Sequence, residues 1–214
     1  ISLSETILSS SGGNITLGGG LDPASGFAAP SPFAGISLDV ATLSAGAGSI
    51  SSRGKGLIAS GLIETTTGNI TITGGPGGSS TVTVSGTVQT TDGTINLTGS
   101  ADLTGVFLDD GALIQATGSG NIVVEAPVVN LSVATILAAA GAITLTADEF
   151  AFTPDSSIAG SGTLLIQPLT ASTTIGLGDA SSGTLNLDTS ELATIQNGFG
   201  SITIGSATGT GAVD

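Results

Sequence analysis

The sequence of 214 residues contains no cysteine, histidine, methionine, tryptophan or tyrosine. The lack of cysteine excludes a disulfide framework and metal sites built from thiolates, although it leaves the redox compartment open. Because histidine is also absent, the nucleophilic triads of serine and cysteine hydrolases cannot form. Composition alone therefore removes most of the common catalytic alternatives.

Positive charge is also scarce: two cationic side chains stand against 16 acidic ones, for a formal net charge of −14. Nucleic-acid binding needs many lysines or arginines to neutralise phosphates, and the chain has only Arg53 and Lys55, so we expect no nucleic-acid partner. The carboxylates are spread along the chain, which indicates a hydrated exterior that discourages lateral aggregation. No apolar run approaches the roughly 20 residues that span a bilayer, so we expect no membrane insertion of this segment.

Glycine, in contrast, is abundant, and many of the 35 copies open one recurring phrase. The phrase consists of a glycine, a small or polar residue, an aliphatic residue, a polar residue and a second aliphatic residue. It occurs at residues 13–17, 68–72, 93–97, 141–145, 183–187 and 200–204, with looser copies at 35–38, 120–124 and 162–166. Its period of two is typical of a β-strand, and no segment has the helical period of 3.6, so we expect no helix.

The spacing of the phrase predicts a solenoid, in which each coil stacks on the one before. Gly120, Gly141, Gly162 and Gly183 follow one another at a constant step. We therefore expect an all-β fold, a parallel β-helix that forms a single segment over residues 1–214, with about ten coils of roughly 20 residues. The glycines would lie at tight corners, where φ is positive or where the next coil passes closely.

Irregular spacing in the first half of the chain predicts loops that bulge from the solenoid. The longest covers residues 18–33, where three prolines among glycine and alanine cannot lie inside a parallel ladder. Shorter excursions are predicted at residues 74–78 and 98–110. Phe27 and Phe33 lie in the longest loop and are candidates for a contact patch, and the alternative is that they pack the loop onto the solenoid.

The two ends of the chain match the two halves of one strand. Residues 211–214 begin the phrase and residues 1–3 complete it. We therefore expect the 214 residues to be one period of a tandem array or filament, joined to neighbouring copies through Ile1, Leu3, Val213 and Asp214. A boundary that happens to fall inside a strand is the alternative explanation. Uncapped terminal coils would in either case invite pairing between edges.

Carboxylates are the main candidates for catalysis or metal binding. A glycosidase needs a facing pair, whereas the adjacent acidic residues at 109–110 and 148–149 would point to opposite faces of a strand. A lyase would want a basic residue near clustered acidic ligands, and Arg53 has none beside it, so we expect no enzyme. Calcium requires only oxygen ligands, and its candidates are Asp109, Asp110 and Asp179, although no EF-hand or β-roll motif is present. We expect no other cofactor.

Phrases such as Gly-Asn-Ile-Thr-Leu, Gly-Ala-Ile-Thr-Leu and Gly-Ser-Ile-Thr-Ile resemble the repeat regions of filamentous-haemagglutinin-type proteins, and residues 160–214 are similar to repeats of this kind. Those proteins are giant, exported and displayed on bacterial surfaces, with right-handed parallel β-helical shafts. The resemblance implies a right-handed solenoid that is secreted to the bacterial cell surface. It implies adhesion, filament formation or matrix building, and it supplies no catalytic residues.

We therefore expect a structural repeat of an extracellular surface fibre or giant adhesin, whose coils stack end to end on neighbouring copies. The alternative is an adhesin module that uses the loop at residues 18–33 to bind a receptor or glycan on a host surface, a neighbouring cell or a matrix. A carbohydrate-active enzyme that depends on Arg53 is a third class.

Overall fold

The computed structural model describes residues 1–29, 35–76, 81–100 and 105–214, which form a parallel β-solenoid. In chain order its elements are β1 (Ser2–Ser4), β2 (Ile7–Ser9), β3 (Ile15–Leu17), β4 (Ile36–Asp39), β5 (Thr42–Ser44), β6 (Ile50–Gly54), β7 (Leu57–Ala59), β8 (Leu62–Glu64), β9 (Ile70–Gly74), β10 (Val82–Val84), β11 (Thr87–Thr90), β12 (Ile95–Thr98), β13 (Val106–Leu108), β14 (Leu113–Ala116), β15 (Ile122–Glu125), β16 (Val128–Leu131), β17 (Thr135–Ala138), β18 (Ile143–Thr146), β19 (Glu149–Phe152), β20 (Ser157–Gly160), β21 (Thr163–Gln167), β22 (Ile175–Leu177), β23 (Leu185–Leu187), α1 (Thr189–Leu192) and β24 (Ser201–Ile204).

The strands stack into three main sheets, one on each side of the coil. Sheet A contains β1, β4, β7, β10, β13, β16 and β19 in that order, and sheet B contains β2, β5, β8, β11, β14, β17 and β20. Sheet C contains β3, β6, β9, β12, β15, β18, β21 and β24. Up to β21, every third strand of the chain therefore joins the same sheet, and each turn supplies one strand to each side.

The regular part of the solenoid makes about 5 turns, with coils of ~23 residues. The coil length is not constant, as the unequal intervals between successive register partners in sheet A show. These partners are Ile36, Leu57, Val82, Val106, Val129 and Phe150. The first turn is longer than the others, since Ser2 pairs with Ser37. The ten predicted coils are not found, because no sheet of the described residues has more than eight strands.

Aliphatic ladders fill the interior of the coil, as the alternation of the phrase predicts. One ladder of sheet C consists of Ile15, Ile50, Ile70, Ile95, Ile122, Ile143 and Leu164. All of these side chains are buried, whereas Asn96, between two inward residues of β12, is half-buried on the outer side. Each coil is therefore stabilised mainly by apolar burial against its two neighbours.

The glycines that open the phrase form a column at the corner between sheets B and C. The column consists of Gly13, Gly48, Gly68, Gly93, Gly120, Gly141 and Gly162. After the first, a Cβ added to any of them would overlap the carbonyl oxygen of the preceding glycine, yet none of them has a positive φ. Close passage of the next coil, rather than an unusual backbone conformation, therefore requires glycine here.

Only one corner of the regular part carries long connections. The links from sheet A to sheet B and from sheet B to sheet C are all short, whereas three links from sheet C to sheet A are long. These three follow β3, β9 and β12 and cover residues 18–35, 75–81 and 99–105. The excursions predicted at 18–33 and 74–78 therefore both leave from this C–A corner, although residues 30–34 and 77–80 lie outside the described part of the chain. β13 occupies part of the excursion predicted at 98–110, and residues 101–104 of it lie outside the described part of the chain.

The regular strand order ends after β21. β22 lies between β23 and the segment 212–214, since Ile175 pairs in parallel with both Leu185 and Val213. β23 packs beside β19, so that β22, which precedes it in the chain, lies further from sheet A. The bridge between Ile195 and Ile158 extends sheet B by one rung. The pairing of β24 with β21 extends sheet C by one rung.

The sequence prediction was wrong at two points in this region. Gly183 does not continue the glycine column, because β23 pairs with β22 rather than β21. Gly200 precedes the strand that does pair with β21. The helix α1 was also not expected. It begins with a capping box, in which Asp188 accepts a hydrogen bond from the Glu191 N–H and the Glu191 carboxylate accepts one from the Asp188 N–H.

Candidate functional site

The first coil leaves inward-facing aliphatic side chains uncovered. Leu3 aligns with Leu38 and Leu8 aligns with Leu43, and both partners are fully buried in the core. By contrast, Ile1 is 44% exposed and Leu8 is 37% exposed. The predicted interface residues Ile1 and Leu3 therefore lie at an open end of the apolar core.

The described residues also leave uncovered strands at the other end. Residues 212–214 pair with β22, and the Asp214 N–H donates to the Ile175 carbonyl at 2.8 Å. Val213 is 66% exposed. A groove of about 430 Å³ lies beside it, and its apolar lining includes Ile175, Ile204 and Val213. The predicted interface residues Val213 and Asp214 therefore belong to the outermost strand segment at this end of the described chain.

The four predicted interface residues are thus divided between two ends of complementary type. Each end presents parallel strands whose outer N–H and C=O groups face away from the rest of the ladder. Each also exposes aliphatic side chains that in inner coils would be covered by the next rung. Chemically, either end can accept another parallel rung with an apolar inner face.

The calcium candidates are not brought together. Asp109 and Asp110 lie in the link between β13 and β14, whereas Asp179 follows β22 and accepts a hydrogen bond from the Thr189 N–H at 2.9 Å. In the part of the chain that the structure describes, no group of three or more acidic side chains is placed to hold a metal ion. Calcium binding at these residues stays a prediction.

Phe27 of the longest loop packs against the solenoid. Its ring centroid lies 5.3 Å from the Arg53 guanidinium carbon, and a Cβ on Gly75 would collide with the ring. Ala28 forms a parallel bridge with Gly54, the last residue of β6. Phe33 lies outside the described residues, so the contact patch predicted for Phe27 and Phe33 stays a prediction.

Leu21 is the loop residue that sequence reasoning missed. Its side chain is fully exposed, immediately before a turn closed by Asp22. The Asp22 carboxylate accepts hydrogen bonds from the Ser25 hydroxyl at 2.7 Å and from the Ala24 N–H at 3.0 Å. The bond from the Ser25 hydroxyl lowers the pKa of Asp22 the most, and the bond from the Ala24 N–H lowers it further. Together they outweigh the desolvation of the carboxylate, which raises the pKa. In the sequence, a single leucine directly before a polar turn was the signal that could have identified Leu21.

Asp148 lies at the C–A corner between β18 and β19, and its hydrogen bonds stabilise this corner. Its carboxylate accepts hydrogen bonds from the Thr170 hydroxyl at 2.6 Å, the Thr170 N–H at 2.8 Å and the Thr173 hydroxyl at 2.7 Å. Burial raises the pKa of Asp148, but these bonds together outweigh it and hold the pKa below the usual value of an aspartate. The neighbouring Glu149 is exposed. Asp148 is therefore an ionised structural acceptor that ties residues 170–173 to the solenoid.

Comparisons with models of protein families, with curated proteins and with solved structures find no match to this chain. Among the described residues, the chain has no helix whose length and apolar character would allow it to cross a membrane.

Proposed function

We propose that this chain is a structural repeat of an extracellular bacterial surface fibre or giant adhesin, in which copies stack end to end into a stiff shaft. One observation carries the proposal: aliphatic side chains of the core ladders are exposed at both ends, with no covering element among the described residues. In this proposal the partner is a neighbouring copy, either in the same polypeptide or in a separate chain.

The proposed role is mechanical and involves no catalysis. The backbone hydrogen bonds of the three sheets run along the axis, so each added coil extends all three ladders at once. The excess of carboxylates keeps the sides hydrated and discourages lateral association. The resemblance to filamentous-haemagglutinin-type repeats supports a right-handed winding, export and display on the bacterial cell surface.

The hydrophobic effect favours this stacking. Leu3, Leu8 and Ile1 of one copy would cover the groove that Ile175 and Val213 line in the next copy. Apolar surface removed from water contributes about 25 cal/mol per Å², and the new rung adds parallel backbone hydrogen bonds.

The test is sedimentation velocity combined with electron microscopy at increasing protein concentration. We expect rods that lengthen by whole units, and we expect Leu8→Asp to abolish lengthening because it places a charge in the buried ladder. Ser9→Asp is the matched control, since it adds the same charge to the outward neighbour on β2. If neither separate chains nor two copies fused in one chain form a continuous rod, the proposal is wrong.

The second candidate function is an adhesin module that binds a receptor or glycan through the loop at residues 18–33. The full exposure of Leu21 at a turn ordered by Asp22 favours it. We expect Leu21→Asp to reduce attachment to target cells without changing rod length. Equal attachment by Leu21→Asp and the unaltered chain would contradict this candidate.

A further inference from the structure

A polar groove lies on the side of the solenoid, where sheet B turns toward sheet C, and it extends from the end of β5 to the residue after β14. It encloses about 270 Å³, and its lining includes Ser44, Glu64, Thr66, Gln89, Thr91 and Thr117. Every side chain that lines it carries a hydroxyl, amide or carboxylate group. The volume is near the lower limit of about 300 Å³ for small-molecule pockets, so the groove suits a ligand of one ring.

The walls of the groove are held in place by hydrogen bonds between coils. Gln115 Nε2 donates to Gln89 Oε1 at 2.7 Å, and Gln89 Nε2 donates to Glu64 Oε2 at 2.9 Å. Beneath them, the buried hydroxyls of Thr65 and Thr90 lie 3.0 Å apart and are bonded to one another. A ligand would therefore meet Glu64 and Gln89 side chains that are already ordered, which lowers the entropic cost of binding.

Several polar atoms of the groove remain available. Glu64 Oε1 and the hydroxyls of Ser44, Thr66 and Thr91 make no hydrogen bond to another described residue. A carboxylate oxygen accepts from a donor, whereas a threonine or serine hydroxyl both donates and accepts. Adjacent hydroxyl groups of a sugar ring also donate and accept, so they match this set.

We propose that this groove binds one pyranose unit of a neutral saccharide, with Glu64 accepting hydrogen bonds from sugar hydroxyls and Thr66 and Thr91 completing the contacts. An acidic sugar is disfavoured, because Glu64 is the only charged side chain among the described residues of the groove and the chain carries a net charge of −14. No aromatic ring is among the described lining residues, so binding depends on hydrogen bonds, and we expect a dissociation constant of roughly 1 mM. This site is independent of end-to-end stacking.

The experiment is an NMR titration of the ¹⁵N-labelled chain with the methyl glycosides of glucose, galactose, mannose and N-acetylglucosamine, each alone. We expect at least one of them to shift the backbone amide signals of Thr66 and Thr91 in a saturable manner. The proposal is overturned if none of the four shifts these signals. It is equally overturned if the shifts map to residues 18–29, an outcome that would favour the loop instead.

A pair of variants separates the carboxylate from the general charge of the surface. Glu64→Gln keeps the shape of the side chain and its place beside Gln89 but removes the ionised acceptor, and we expect binding about tenfold weaker. Glu125→Gln removes the same charge from an exposed residue of sheet C and should bind as the unaltered chain does. Circular dichroism checks that both variants fold. Equal affinity of Glu64→Gln and Glu125→Gln would contradict the proposed role of Glu64.

Discussion

Replacement of Gly141 by alanine tests whether close passage between coils requires glycine at the B–C corner. An alanine Cβ would overlap the carbonyl oxygen of Gly120 and lie 2.6 Å from its carbonyl carbon, whereas ordinary contact begins near 3.4 Å. The coils cannot separate here without stretching the ladder bond from the Ile122 N–H to the Ala142 carbonyl, which is 2.9 Å long. The added methyl group therefore strains the packing, the hydrogen bond or both.

The magnitude follows from these two contributions. Overfilling a packed site costs about 1–3 kcal/mol, and loss of one ladder hydrogen bond adds about 1 kcal/mol. We expect Gly141→Ala to lower the free energy of unfolding by about 3 kcal/mol. In a chain of this length, each kcal/mol lowers Tm by roughly 2–4 °C, so the variant should melt roughly 6–12 °C below the unaltered chain.

The matched control is Gly200→Ala, which changes the same position of the phrase in the last rung. A Cβ there would lie 3.4 Å from the Gly162 carbonyl oxygen, which is an ordinary contact. We expect a change in stability below about 1 kcal/mol, because alanine also reduces the entropy of the unfolded chain. Thermal and urea unfolding followed by circular dichroism measure both variants. A loss in Gly141→Ala no larger than that in Gly200→Ala would refute the close-passage explanation.

Three further predictions concern the corners. Val133 has a φ of 55°, which is strained for a β-branched residue, so Val133→Asn should raise the free energy of unfolding by about 1 kcal/mol in urea titrations; a loss would contradict this. The Asn69 side chain accepts a hydrogen bond from the Thr94 N–H of the next coil at 2.9 Å. Asn69→Ala should therefore lower the free energy of unfolding by about 1 kcal/mol in the same assay, and an unchanged value, as expected if water fully replaces the amide oxygen, would contradict this. The lowered pKa of Asp148 means that its ionised form stabilises the folded chain above the unfolded value near 3.8, and this contribution is lost as pH falls through the lower folded pKa. The stability difference between the unaltered chain and Asp148→Asn should therefore shrink as urea titrations are carried to lower pH, and a constant difference would contradict the assignment.

The strands and their buried faces could be predicted from the sequence because alternation is a local property. In β12, Ile95 and Leu97 point inward and Asn96 outward, as the phrase indicates. Strand pairing is not local. Gly183 and Gly200 open identical kinds of phrase, yet only the strand after Gly200 pairs with β21, because β22 and β23 pair with each other.

The number of coils was overestimated for a related reason. A constant step along the chain assigns every residue to a coil, whereas the link after β3 is nearly as long as a whole coil and β22 is inserted out of order. The capping-box residues Asp188 and Glu191 were a visible signal for α1, but the strand phrase directly before them obscured it.

The polar groove could not be predicted from the sequence. Glu64 and Gln89 lie one coil apart, and Gln115 follows one coil later, so their contact depends on the register between β8, β11 and β14. Predicting it would have required knowing the length of each turn, including the connections at the C–A corner. The phrase specifies which side chains face outward and leaves their neighbours undetermined.

The B–C corner holds the glycine column, whereas the C–A corner carries the long connections, so these two edges of the solenoid are not equivalent. An insertion at the glycine column would force consecutive coils apart, whereas the C–A corner already accommodates a connection as long as the one between β3 and β4. Peptides grafted into these connections would all project from the same edge, separated along the axis by multiples of about 4.8 Å. The fold therefore offers a scaffold on which several foreign segments can be displayed in one direction and in a fixed order.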